Sequence, residues 1–184
     1  MNALLAGAAE IQSFLRRADE RFCFIGGIAL QRWGEPRLTR DVDLTLLCPY
    51  GAEERAVDRL LASFATRIPE ARAFALQHRV VLLSSESGVP IDVALGGIPF
   101  EERCVARASE FDFGEARLLT CSAEDLVVLK AFAGRERDWA DVESVVIRQS
   151  HSLDWPLVFE ELAPLAEVRG GAEIAARLRR LKQE

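Results

Sequence analysis

Lysine, histidine and long apolar runs are all scarce in this chain, and each shortage closes off a class of function. The only histidines, His78 and His151, have no metal-like spacing to one another or to a cysteine, which argues against a zinc site. The cysteines, Cys23, Cys48, Cys104 and Cys121, form no C-x-x-C pair and sit in apolar contexts, so they read as buried free thiols. Apolar runs such as residues 80–83 and 126–129 fall far short of the ~20 residues a membrane-spanning helix needs. The N-terminus shows neither a basic n-region nor a cleavage pattern, and Glu10 interrupts it early, so the expectation is a cytoplasmic protein without a membrane partner. A basic balance is lacking as well. The net charge of −6 speaks against a general nucleic-acid binder, although arginines cluster at 16, 17 and 21, at 32, 37 and 40, and at 177, 179 and 180. Each cluster reads as a solvated helix face or as a local basic patch. Against so much arginine, an internal lysine such as Lys130 stands out.

What is present is ordinary globular composition, 49% hydrophobic and 28% charged, in 184 residues. That length suffices to bury about 70% of the unfolded surface in one domain, or in one domain with a helical appendage. Apolar residues at three- and four-residue spacing predict an amphipathic helix over residues 2–20 and another from Glu53 to Phe64. A short buried strand is expected at 22–25, then a brief helix ended by Gly34 and Pro36, then a second strand reaching Leu47. Residues 74–84 read as a strand, joined by a loop at 85–88 to a partner strand at 89–95. A short helix at 100–108 and one or two strands around Gly114 complete the first part. From Ser122, which with Asp125 has the form of a helix cap, the pattern is helical. Helices are expected up to Gly134, over 137–148, from Asp154, and over 172–181 after a Gly170-Gly171 break. The expected organisation is a 1–121 α/β core and a 122–184 helical region, hence an α+β fold.

Three features of the first part carry chemistry. Gly26-Gly27 follows a strand and opens a helix, which places unhindered backbone N–H groups at a helix N-terminus; glycines there also serve purely conformational ends. Asp41 and Asp43 lie two apart on an apolar strand and so share a face. Like charges held that close call for a cation, and carboxylate oxygens suit Mg²⁺. A solvated strand end, or an ion pair with Arg37 or Arg40, accounts for them equally. Asp92 is a lone charge within another apolar strand, either an edge-strand charge or a third carboxylate that converges with the first two if the strands are neighbours.

Gly26-Gly27, Asp41-Val42-Asp43-Leu44 and the later strand aspartate Asp92 together resemble the DNA polymerase β-type nucleotidyltransferase superfamily. Residues 124–142 and 153–155 resemble the helical half of its small bacterial members, including the AbiEii-like toxins. The resemblance implies a mixed sheet flanked by helices and followed by a C-terminal helical bundle. It also implies two Mg²⁺ ions on Asp41, Asp43 and Asp92, and an NTP held by Gly26 and Gly27. It extends nucleotide binding to Lys130, Arg135 and Asp138, with Asp141 in the same helical motif, and to Thr39 and Arg40 beside the acids. Gly27 stands where many members have Ser, which removes a hydroxyl contact to phosphate. The implied activity is transfer of an NMP to an acceptor hydroxyl, on tRNA or another macromolecule for a toxin-like enzyme with a cognate antitoxin, or on a small molecule such as an antibiotic. A non-catalytic nucleotide-binding regulatory module on the same fold is the alternative. An unrelated α+β domain would instead place Asp41, Asp43 and Asp92 far apart.

Overall fold

A computed structural model describes residues 2–168 and 171–183, so Gly170 of the expected glycine break lies outside the described residues. The strands are β1 (Phe22–Phe24), β2 (Val42–Leu47), β3 (Ala65–Thr66), β4 (Val80–Ser84), β5 (Pro90–Gly96), β6 (Ser109–Asp112) and β7 (Arg117–Thr120). They form one mixed sheet in the order β3-β4-β5-β2-β1-β7-β6. β2 is antiparallel to β1 and parallel to β5, and β4 and β5 make the antiparallel hairpin that the 85–88 loop foretold. The helices are α1 (Ala3–Arg17), α2 (Gly26–Trp33), α3 (Glu53–Leu61), α4 (Ala71–His78), α5 (Pro99–Arg107), α6 (Ala123–Ala133), α7 (Glu136–Arg148), α8 (Trp155–Ala166) and α9 (Gly171–Leu181). None is long and apolar enough to cross a membrane. The architecture is α+β, and the chain divides into two units: Met1–Ile28 with Leu38–Cys121, and Ala29–Arg37 with Ser122–Glu184.

In the first unit, strand alternation decides which side of the sheet is dry. Val42, Leu44 and Leu46 of β2, Val81 and Leu83 of β4, and Ile91, Val93 and Leu95 of β5 all join one core. Leu4, Leu5, Ala8, Ile11 and Leu15 of α1 and Val57 and Leu60 of α3 cover that core. Each such burial is worth roughly 1.5–3 kcal/mol, which binds the two faces of the strands to opposite fates. The other face carries Cys23, whose Sγ lies 3.8 Å from Cys104 Sγ on α5. Opposite Cys23 in β2 is Thr45, against which Gly96 packs together with Glu101 of α5. Asp43 and Asp92 lie farther along this second face.

Residues 74–84 are not one strand. Ala71–His78 is helix α4, and β4 begins only at Val80. Buried Ala71 and Ala75, and the Phe74–His78 ring pair with centroids 4.5 Å apart, repeat at i and i+4, a helical spacing. Arg79, left-handed at φ 55°, stops the helix and turns the chain into β4. Its guanidinium holds the turn by donating to the Leu95 and Cys48 carbonyls at 3.0 and 2.6 Å and by pairing with Glu53. The two-residue strand β3 was not anticipated, being too short to show alternation.

In the second unit, Ser122 caps α6 as its sequence suggests: its hydroxyl oxygen accepts the Asp125 N–H at 3.1 Å, and its O–H donates to Asp125 Oδ2 at 2.8 Å. Gly134, at φ 70°, ends α6. Leu126, Val127, Trp139, Val142, Val145, Val158, Leu162 and Leu178 are buried along α6 to α9. Gly34, just past the end of α2, packs against Leu30 and against Ser144 and Val145 of α7. Arg148 and Gln149 donate to the Gly34 and Trp33 carbonyls, satisfying acceptors that the helix end leaves open.

Candidate active site

The register of β2 against β5 settles whether the acids converge. Asp43 and Asp92 are direct partners in the parallel ladder, so they lie side by side on the face away from the core. β5 is an interior strand, flanked by β4 and β2, which removes the edge-strand explanation of Asp92. Asp41 falls just before β2 rather than within it. It still lies close enough to Asp92 for its charge to be felt there. Burial pushes the Asp92 carboxyl above its ordinary value and Asp41 pushes it further, while the guanidinium of Arg67 opposes both. Arg67 pairs directly with Asp92. Asp43 and Asp92 are therefore neighbours rather than scattered, and Asp41, two residues before Asp43, is within electrostatic reach of Asp92.

The glycine turn abuts this site. Ile25 N–H donates to the Asp43 carbonyl at 3.0 Å, tying the end of β1 to β2. The next residue, Gly26, has φ 57°, and a Cβ there would sit 2.2 Å from Asp43 Oδ2. The carboxylate thus occupies the space that only glycine leaves. At Gly27 a Cβ would meet Thr39 Oγ1 at 2.4 Å. The space a side chain at 27 would take is filled by Thr39, whose hydroxyl donates to Asp41 Oδ1 at 2.9 Å. Thr39 is buried, whereas Arg40 is exposed.

Among the described residues no three His, Cys, Asp or Glu side chains are drawn into a metal cage. The donor set nonetheless fits Mg²⁺, which is usually held by one or two carboxylates plus substrate phosphates instead of an all-protein cage. Asp41, Asp43 and Asp92 are hard oxygen donors, and Gly26 lies against Asp43 and Gly27 against Thr39.

Lys130, Arg135, Asp138 and Asp141 come together in the second unit. The Lys130 ammonium, buried on α6, donates to Asp138 Oδ1 at 3.2 Å and Asp141 Oδ2 at 2.7 Å, both on α7. Arg37 clamps Asp141 through two hydrogen bonds of 2.8 Å, and Arg135 reaches Asp138 at 2.5 Å. Burial alone would raise both carboxyls. Hydrogen bonds from Arg135 and Lys130 to Asp138, and from Arg37 and Lys130 to Asp141, outweigh it and hold both below the ordinary value. Lys130 is thus a fixed, desolvated cation and not a solvated helix residue. Arg37 pairs with Asp141, across more than a hundred residues of chain that local sequence patterns do not span.

Arg67 was missed by sequence reasoning. Its position becomes apparent only once β3 is seen to pair with β4.

Fold and chain both have relatives. A nucleotidyltransferase-like antigenic protein from Paracoccidioides brasiliensis superposes with a TM-score of 0.58 at 15% identity, over 96% of this chain and 92% of that one. The antibiotic-resistance factor ANT(2'')-Ia superposes with a TM-score of 0.53 at 17% identity, over 94% of this chain and 96% of that one. No curated protein matches at the level of sequence. One family model, described as "Nucleotidyl transferase AbiEii toxin, Type IV TA system", matches residues 13–183, nearly the whole chain. The chain belongs to this AbiEii family of toxin nucleotidyltransferases and is a nucleotidyltransferase.

Proposed function

We propose that the protein transfers an NMP from an NTP to an acceptor hydroxyl, with release of pyrophosphate and with Mg²⁺ held by Asp41, Asp43 and Asp92. The observation that supports it most is the side-by-side register of Asp43 and Asp92 next to Gly26, where Asp43 fills the space a side chain would take. Bound there, as two ions, Mg²⁺ would neutralise charge building on the phosphates. The chain's own residues have separable tasks. Gly26 and Gly27 make room for Asp43 and Thr39 beside the start of α2, whose backbone N–H groups bind the triphosphate. Thr39 orients Asp41, and Arg40 offers an exposed cation just before the acids. Asp92 takes the proton of the acceptor hydroxyl as the hydroxyl oxygen bonds to the α-phosphorus and the bond from the α-phosphorus to the α–β bridging oxygen breaks, releasing pyrophosphate. Lys130 and Arg135 belong to the nucleotide-binding part of the proposal, with Asp138 and Asp141 holding Lys130 in place.

The toxin family favours an RNA acceptor such as tRNA, a cytoplasmic setting and a cognate antitoxin as partner. The net charge of −6 favours a second acceptor class, a cationic small molecule. Incubation with each α-labelled NTP, Mg²⁺ and either bulk tRNA or a set of aminated sugars separates them. Label is expected in the RNA fraction, and label only in the small-molecule fraction would reverse the assignment.

Gly26→Ala tests the cradle. The added methyl must displace the Asp43 carboxylate, and φ 57° strains any L-residue by about 1–2 kcal/mol. Misplacing a reacting group by about 1 Å costs on the order of 10²-fold in rate. Initial rates and thermal unfolding are expected to show a large activity loss beside a small stability loss. Full activity would mean that Asp43 need not sit where it does.

A further inference from the structure

Arg67 belongs to none of the motifs above, and the reaction as proposed does not use it. Its position follows from register. β3 pairs with β4 through Thr66↔Leu83, and the Arg67 N–H donates to the Leu82 carbonyl at 3.2 Å, which carries the ladder one residue further. Leu82 is the partner of Asp92, and Asp92 is the partner of Asp43. Arg67, Leu82, Asp92 and Asp43 thus form one row across four strands. Residues opposite one another on neighbouring strands share a face. Val81 and Leu83 point into the core, so this row lies on the face of the acids. From there the Arg67 side chain passes Leu82, and its Nη2 donates to Asp92 Oδ1. The side chains of Arg67 and Asp92 are 29% and 35% exposed, so ions in solution reach the pair.

We propose that Arg67 is a positioning residue that acts as an internal counter-cation: in the nucleotide-free enzyme it occupies Asp92, and a divalent cation completes its site there only by displacing the guanidinium. The inference rests on the reading of Asp92 as a metal ligand. Its physical content is competition between two cations for one carboxylate. Free metal is thereby kept from loading fully before a nucleotide arrives. A triphosphate both delivers its own cation and offers the displaced guanidinium a new anion.

Mn²⁺ titration of the full chain without nucleotide, read by the loss of the free-ion EPR signal, tests this without measuring activity. Arg67→Gln and Arg67→Ser are expected to bind Mn²⁺ about two- to fivefold more tightly than wild type, the scale of a partly exposed ion pair. Arg67→Lys, which keeps the cation, should stay near wild type. In an Asp92→Asn background, which has lost the contested ligand, Arg67→Gln should change nothing. Circular dichroism confirms that each variant is folded, and two neutral replacements guard against failure of either. Unchanged or weaker Mn²⁺ binding in both neutral variants, with binding still dependent on Asp92, overturns the role of Arg67 alone. An equal gain in the Asp92→Asn background also overturns it, since the effect would then be a general field and not occupancy. If wild type and variants take up no Mn²⁺ with or without an NTP, the metal reading of the acids falls, and this inference with it.

Discussion

Replacing Asp43 by asparagine lowers nucleotidyl transfer by on the order of 10²–10³-fold, the scale on which loss of one group that stabilises transition-state charge is felt. The substitution is nearly isosteric, so the amide fits the volume beside Gly26 that the carboxylate fills. What it removes is charge. Asp43 lies directly beside Asp92, with Asp41 close to both, and that concentration of negative charge is what would hold a cation against the phosphates. One like charge fewer also relieves repulsion, so the thermal midpoint should stay within a few degrees of wild type. Transfer rates and unfolding curves measured together check both halves. A variant that unfolds early would show that Asp43 serves the fold. A folded variant within a few-fold of wild-type activity would remove it from the chemistry.

Lys130→Met destabilises the protein by about 3–5 kcal/mol, because it strips a buried cation from two carboxylates and leaves them half-paired. The cost should be partly recovered by adding Asp138→Asn, which removes one of the stranded charges. Acidity provides an independent check with a definite sign. The Asp138 and Asp141 carboxyls are lowered in the folded state relative to ordinary carboxylates. Their contribution is therefore complete above the unfolded value of about 3.9 and is lost as the pH falls through the lowered folded values. In Lys130→Met the carboxyls lose that support, and protonation relieves their exposure to a dry environment. The stability gap between wild type and variant should accordingly be wide at pH 7 and narrow as the pH falls below about 4, as read by urea unfolding at each pH. A gap that widens in acid would contradict the network as described.

The parts of this molecule legible in its sequence are those where local chemistry and tertiary placement agree. Two-residue alternation puts Val42, Leu44 and Leu46 against the core and Asp43 away from it, and the register with β5 brings Asp92 alongside. Ser122 and Gly134 punctuate α6 by mechanisms that need only their neighbours. Helix α4 was misread because its apolar residues run straight into β4, and the turn between them is made by a left-handed arginine, not a glycine. The role of Arg67, and the pairing of Arg37 with Asp141, escape the sequence for a different reason. Their partners, Asp92 and Asp141, lie in other elements, and nothing local to either arginine encodes the register or packing that joins them. Thr39 shows a third case: its side chain fills the space beside Gly27, a contact that only the fold creates.

The most direct test of the account is pyrophosphate release from each of the four NTPs with Mg²⁺ and a tRNA pool, by wild type and by Asp43→Asn. Wild type is expected to release pyrophosphate in step with NMP incorporated into the acceptor, EDTA to stop both, and Asp43→Asn to do neither. Incorporation by Asp43→Asn at the wild-type rate, or in EDTA, would contradict it.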